Sequence, residues 1–230
     1  MIRPEGLECR RVRSFAALLL ALLSFSGWSA PFAVQVGDAR VALDAPPGFS
    51  DVQGTGSPRL LELAEALTPA ANRILLFALE DGDVRRFSVG DSPELRRYVI
   101  AVTPKGLERE RVGAAQFRAF VADALRELGE ATPAGNLRAH LDARPRGQAS
   151  LVAHLRKDPE AVSVLQGARL PELRKDSPPR YILSSTTLLL VRGKALNLQV
   201  FSRYENDDDI EWIRAATARW LEELQRLNNR

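Results

Sequence analysis

The chain has 230 residues, 45% hydrophobic and 27% charged, with 32 basic and 29 acidic side chains. That composition excludes a chain disordered throughout and fits one α+β domain of ordinary size. Residues 1–30 hold four of the arginines and two of the glutamates; without them 28 basic and 27 acidic groups remain, too balanced a charge to draw the chain onto phosphates, so nucleic acid is not an expected partner.

Arg3, Arg10, Arg11 and Arg13 precede an apolar run, 15–23, that gives way to small residues over 24–30. This is the pattern of a secretory signal, and the run is shorter than the roughly 20 residues a membrane-spanning helix needs. Cleavage is expected after Ser29 or Ala30, placing the mature protein in the periplasm; the alternative is an uncleaved anchor in the inner membrane. Arg10-Arg11 invites a twin-arginine reading, but Arg13 stands where that signal usually has an apolar residue, and ordinary export needs only the basic stretch. The one cysteine, Cys9, lies ahead of the apolar run, so the mature protein is expected to have no disulfide, thiolate ligand or lipid-bearing cysteine.

Val34–Val36 and Val41–Leu43 flank Gly37-Asp38 and read as a hairpin. Ser57-Pro58 opens a helix in which Leu60, Leu61, Ala64 and Leu67 share a face. Ile74–Leu79, bracketed by turn residues, reads as a buried strand, Phe87–Val89 as a short one, and Tyr98–Thr103 as another closed by Pro104. From Ala114 to Leu128 the stripe Phe117, Phe120, Val121, Ala124, Leu125 and Leu128 has helical spacing, and Gly129 ends it. Residues 130–180, interrupted by six prolines, read as an irregular insert, with a helix at Asn136–Ala143, a helix or strand at Ala149–Arg156 and a strand at Ala161–Arg169. Tyr181–Arg192 and Ala195–Tyr204 form a second hairpin around Gly193-Lys194, expected as a type II′ turn. Leu196, Leu198 and Val200 point one way and Asn197, Gln199 and Phe201 the other, so the sheet should have one buried and one mixed face. Asp207-Asp208-Asp209 caps a helix to about Asn228 that should cross this hairpin. The expected fold is α+β: a mainly antiparallel sheet with packed helices, including a long C-terminal one, in a single domain over 31–230.

This order resembles the superfamily of small exported α+β proteins that includes the PsbP and DcrB families. The segment from Gly37 to Phe49, a hairpin running into Pro46-Pro47-Gly48-Phe49, is similar to their first hairpin, and the closing hairpin and helix resemble their ending. The resemblance implies an assembly or accessory role without catalysis; it assigns no metal site.

The sequence has no Gly-x-Ser-x-Gly elbow, His-Glu-x-x-His, phosphate-binding loop or dinucleotide fingerprint; Gly54-Thr55-Gly56 lacks the third glycine and the lysine that a phosphate loop needs. The only histidines, His140 and His154, are the candidate general bases, with Ser150, Ser184 and Ser185 as conceivable nucleophiles. The acids at 205–209 lack the spacing of a calcium loop and read as a helix cap. Arg85-Arg86-Phe87 and Arg96-Arg97-Tyr98 place paired guanidiniums beside a ring, which suits an acidic partner or, at a membrane surface, an anionic headgroup. The function expected from the sequence is therefore a periplasmic binding or accessory protein for a protein or envelope component, with no cofactor. A periplasmic hydrolase using His140 or His154 and a membrane-tethered envelope protein are the alternatives.

Overall fold

Alternation of apolar and polar residues writes the sheet into the chain. Tyr181–Val191 and Lys194–Tyr204 each run for 11 residues with every second side chain buried over most of their length, the period of a strand with one covered face. The computed structural model describes residues 31–131, 135–172 and 177–229; the expected signal segment lies outside them. Its strands are β1 (Phe32–Val36), β2 (Ala39–Leu43), β3 (Phe49–Asp51), β4 (Asn72–Glu80), β5 (Arg97–Pro104), β6 (Ser150–Lys157), β7 (Ala161–Arg169), β8 (Tyr181–Val191) and β9 (Lys194–Tyr204). The helices are α1 (Pro58–Ala66), α2 (Asp81–Ser88), α3 (Ala114–Leu128), α4 (Leu137–Asp142) and α5 (Asp207–Asn228). β1 and β2 pair as a separate hairpin, while the other seven strands form one antiparallel sheet in the order β3-β4-β5-β9-β8-β7-β6.

One face of this sheet carries the main core. Ile213, Trp220, Leu221 and Leu224 of α5 pack on Leu183, Leu189, Leu196, Leu198 and Val200, together with the β1–β2 hairpin and Leu137 and Leu141 of α4. Asn228 stitches the far end of α5 to the hairpin, accepting from the Ala42 N–H at 2.9 Å and donating to the Ala42 carbonyl at 2.8 Å. On the opposite face α1 and α2 cover Phe77, Leu79, Tyr98, Ile100 and Val102. There α3 covers Val162, Ala195, Leu188 and Leu190 through Phe117 and Val121. Phe120, placed by spacing in the inward stripe of α3, is 37% exposed. The stripe is wider than the narrow strip of sheet α3 has to cover, and Phe120 falls at its margin.

Three local expectations are corrected. Phe87–Val89 belongs to no strand: Asp81–Ser88 is helical, with Asp81 and Asp83 in its first turn and Arg85 and Arg86 in its last, the arrangement its dipole favours. Buried Asp83 accepts from the Glu94 and Leu95 N–H groups, both at 2.9 Å, and so ties α2 to the following loop. The segment 130–180 is no irregular insert, since it supplies α4 and two strands of the sheet; Pro145, Pro159, Pro171, Pro178 and Pro179 all fall between elements, where a missing N–H costs nothing. The second hairpin turns at Arg192-Gly193, one residue earlier than expected, with φ of 51° and 76°. Positive φ at both positions is a type I′ turn, in place of II′.

Candidate functional site

The end of the sheet where β8 begins and β9 ends gathers the chain's most distinctive chemistry. The register sets Tyr181 directly opposite Tyr204, and their rings meet edge to face with centroids 6.4 Å apart. The Arg138 guanidinium, carried on α4, lies 5.4 Å from the Tyr181 centroid and 6.0 Å from that of Tyr204. Tyr181 donates its hydroxyl proton to Asp142 at 2.7 Å and Tyr204 donates to Asp207 at 3.1 Å. Burial first, then the hydrogen bond to the neighbouring carboxylate, raises both phenols above their ordinary range, so both stay protonated donors.

From this pair a charged rim continues along the sheet end. Arg138 donates to the Glu205 carbonyl at 2.7 Å, Arg96 pairs with the Glu205 carboxylate at 3.1 Å, Arg203 reaches the Glu94 carbonyl at 3.5 Å, and Arg86 pairs with the Glu94 carboxylate at 2.7 Å. Two guanidiniums thus pair with the Glu94 and Glu205 carboxylates, and two more donate to the main-chain carbonyls of the same residues. A cavity of about 340 Å³ opens between Arg138, Arg180, Tyr181, Arg203 and Glu205, and one of about 450 Å³ beside Asn136, Arg138, Glu205 and Asp207.

The structure divides the arginine candidates. Arg86 and Arg96 join the rim, and Arg85 is exposed beside them on α2. Arg97 turns to the covered face, where it lies 4.0 Å over the Trp212 ring and pairs with Asp209 at 3.2 Å. Beside it burial pushes the Glu80 carboxyl up, with Arg97 opposing the shift. Tyr98 is buried in the opposite-face core, stacked on Phe201 at 4.5 Å, and Phe87 packs half-buried against the same core under the Arg59 guanidinium. Arg138, Arg203, Tyr181 and Tyr204 were not among the sequence candidates; the tyrosines face each other only with the turn at Arg192-Gly193, since the expected Gly193-Lys194 turn sets Tyr181 opposite Asn206.

The histidines do not share a site. His154 is exposed on edge strand β6 opposite Val164, whereas α4, which carries His140, packs Leu141 near Gly167. Val164 and Gly167 face opposite sides of β7, so the two imidazoles lie on opposite sides of the sheet. Ser185 is sealed under α5, its hydroxyl paired with that of Thr217, and Ser150 is buried. The acids at 205–209 act as a cap: Asn206 accepts from the Asp208 N–H at 2.8 Å, and Asp209 accepts from the N–H groups of Glu205 and Asn206. Among the described residues no group of three or more His, Cys, Asp or Glu side chains is placed to hold a metal ion, and no helix is long and apolar enough to cross a membrane.

No protein-family model and no curated protein matches the chain. Among solved structures, that of the Ran-binding protein Mog1p of Saccharomyces cerevisiae is similar at 12% identity and a TM-score of 0.39, over 86% of this chain and 94% of that one. A structure of a Mog1 point mutant is similar to the same degree. Likeness at that level transfers neither a partner nor an activity.

Proposed function

We propose that this chain is an exported periplasmic binding or accessory protein, without catalysis, which docks an acidic segment of a protein partner on the basic end of its sheet. The observation that carries the reading is the gathering of Arg86, Arg96, Arg138 and Arg203 around Glu94 and Glu205, where Arg86 and Arg96 meet the carboxylates and Arg138 and Arg203 main-chain carbonyls, beside two open cavities. Guanidinium forks match carboxylates in pairs, and an incoming acidic chain replaces pairs that are half-exposed and worth roughly 0–1 kcal/mol each, so the exchange costs little. Export is supported by the arginine-led apolar segment at residues 1–30. Kinship with the PsbP and DcrB families is part of the same proposal and is supported by the hairpin that runs into Pro46-Pro47-Gly48-Phe49.

Photo-cross-linking in the exporting host tests the reading. A photoreactive residue at Arg203 is expected to give a discrete protein adduct that is lost in the Arg96→Glu, Arg138→Glu double variant, while one at Arg118, exposed on α3, gives none. Equal adducts at both positions, or none, would overturn it. So would sedimentation of the purified protein with phosphatidylglycerol vesicles in the absence of any protein adduct, which would assign the rim to a membrane surface. The mass of the mature chain checks export: loss of about 30 residues is expected, and full length would place the protein in the membrane.

A further inference from the structure

At the opposite end of the sheet a third cavity, of about 440 Å³, lies between α1, the loop that follows it and the start of β4. That is within the range of small-molecule sites. We infer that it binds a small organic anion with an apolar body, a medium-chain alkyl carboxylate.

The cavity exists because α1 is held on the sheet by only part of its length. Leu60 and Ala64 are buried against Phe77, Ile100 and Val102, but Ala64 is too small to fill the space beyond it, and Leu61 on the same helix is left 37% exposed. The opposing wall is irregular, because β4 slips register against β5 between Ile74 and Leu76. Bulges of this kind re-aim side chains next to binding sites. Leu61, Ala64 and Ile74 therefore give the space an apolar lining that asks for hydrocarbon.

The polar groups on the same lining ask for an anion. Lys105 spends one ammonium donor on the Ala70 carbonyl at 2.7 Å, and an ammonium has three. Arg73 lies beside it, its Nε 3.2 Å from Glu108. Arg73 is also held by the Gln35 carbonyl, and the lining's own carboxylate is that of exposed Glu65, so Lys105 is the cation with donors to spare. Gln53, Thr68 and Asn72 complete the polar side of the lining. One end charged and hydrogen-bonding, the other apolar: the site matches an amphiphile whose head is a carboxylate.

Calorimetric titration of the purified protein with octanoate tests this, with 1-octanol and octylamine as probes of equal length and different head. Octanoate is expected to bind saturably with a dissociation constant below about 1 mM. Lys105→Gln should weaken it about tenfold, and Leu61→Trp, which fills the space, should abolish the heat. Both substitutions fall on exposed residues, so a melting temperature within about 2 °C of the parent certifies the fold. Octanol or octylamine binding as tightly as octanoate, octanoate binding undiminished in either folded variant, or no saturable heat up to about 10 mM octanoate would each overturn the assignment.

Discussion

Lys194 shows how one side chain can dictate the geometry of a turn. It is 1% exposed, yet its ammonium donates to the Glu110 carbonyl at 2.8 Å and the Glu108 carbonyl at 3.2 Å and pairs with Asp38 at 2.7 Å, joining the β8–β9 turn to the first hairpin and to the loop after β5. Gly37 passes so close that an added Cβ would stand 2.3 Å from the Glu108 oxygen, which is why glycine is required there. Lys194→Met retains the stem but orphans two carbonyls, and should lower the unfolding free energy by about 2–4 kcal/mol in urea titration with an unchanged slope. Asp38→Asn, at an exposed carboxylate, should shift the midpoint far less. None of this could be read along the chain: Gly193-Lys194 matches a Gly-X turn, whereas the observed turn needs positive φ at Arg192, a residue type that gives no such signal. The rim was half legible for a similar reason. Paired arginines mark charge, but strand parity sends Arg97 to one face and Tyr98 to the other, and only pairing brings Arg96 to Glu205.

Elements with many turns or repeats of one period were the readable ones. α3 and α5 follow their apolar stripes to the expected ends, and β8 and β9 follow their alternation. α2 was misread because eight residues with only Val84 and Phe87 as large apolar side chains hold no helical period, and what secures it is a buried carboxylate accepting from a loop eleven residues away. β6 and β7 were obscured by prolines that sit in the connections around them. Even in a legible helix, spacing gives the face without its depth, and α3 supplies the test. Phe117 is 1% exposed and Phe120 37%. Phe117→Ala should therefore cost about 3–5 kcal/mol and Phe120→Ala less than about 1 kcal/mol, compared by urea midpoint. Equal costs would mean that α3 is rotated on the sheet relative to this arrangement.

At the scale of the whole molecule, strand order was hidden because parity along a strand names a face and never a neighbour; β5 finds β9 across almost a hundred residues. The resulting sheet places all three tyrosines of the chain in protected positions, Tyr98 inside the opposite-face core and Tyr181 with Tyr204 at the rim. Burial pushes the Tyr98 phenol up from 10.0 to about 12, and the other two shift in the same direction. Below pH 10 folded and unfolded chains both keep these protons, so the tyrosines add no pH dependence. Above it the unfolded chain releases them while the folded one holds them, and stability must fall as pH rises from about 10 towards 12. Tyr98 alone accounts for a loss of about 2 kcal/mol across that window. Urea midpoints measured from pH 8 to 11.5 should be flat and then fall, and Tyr98→Phe should remove the largest share of the decline while leaving the neutral-pH midpoint little changed, because no hydrogen bond of its hydroxyl is lost. A decline that persists undiminished in Tyr98→Phe would move the alkaline sensitivity to the rim, where loss of the Tyr181 and Tyr204 protons sets each phenolate against the carboxylate it had donated to.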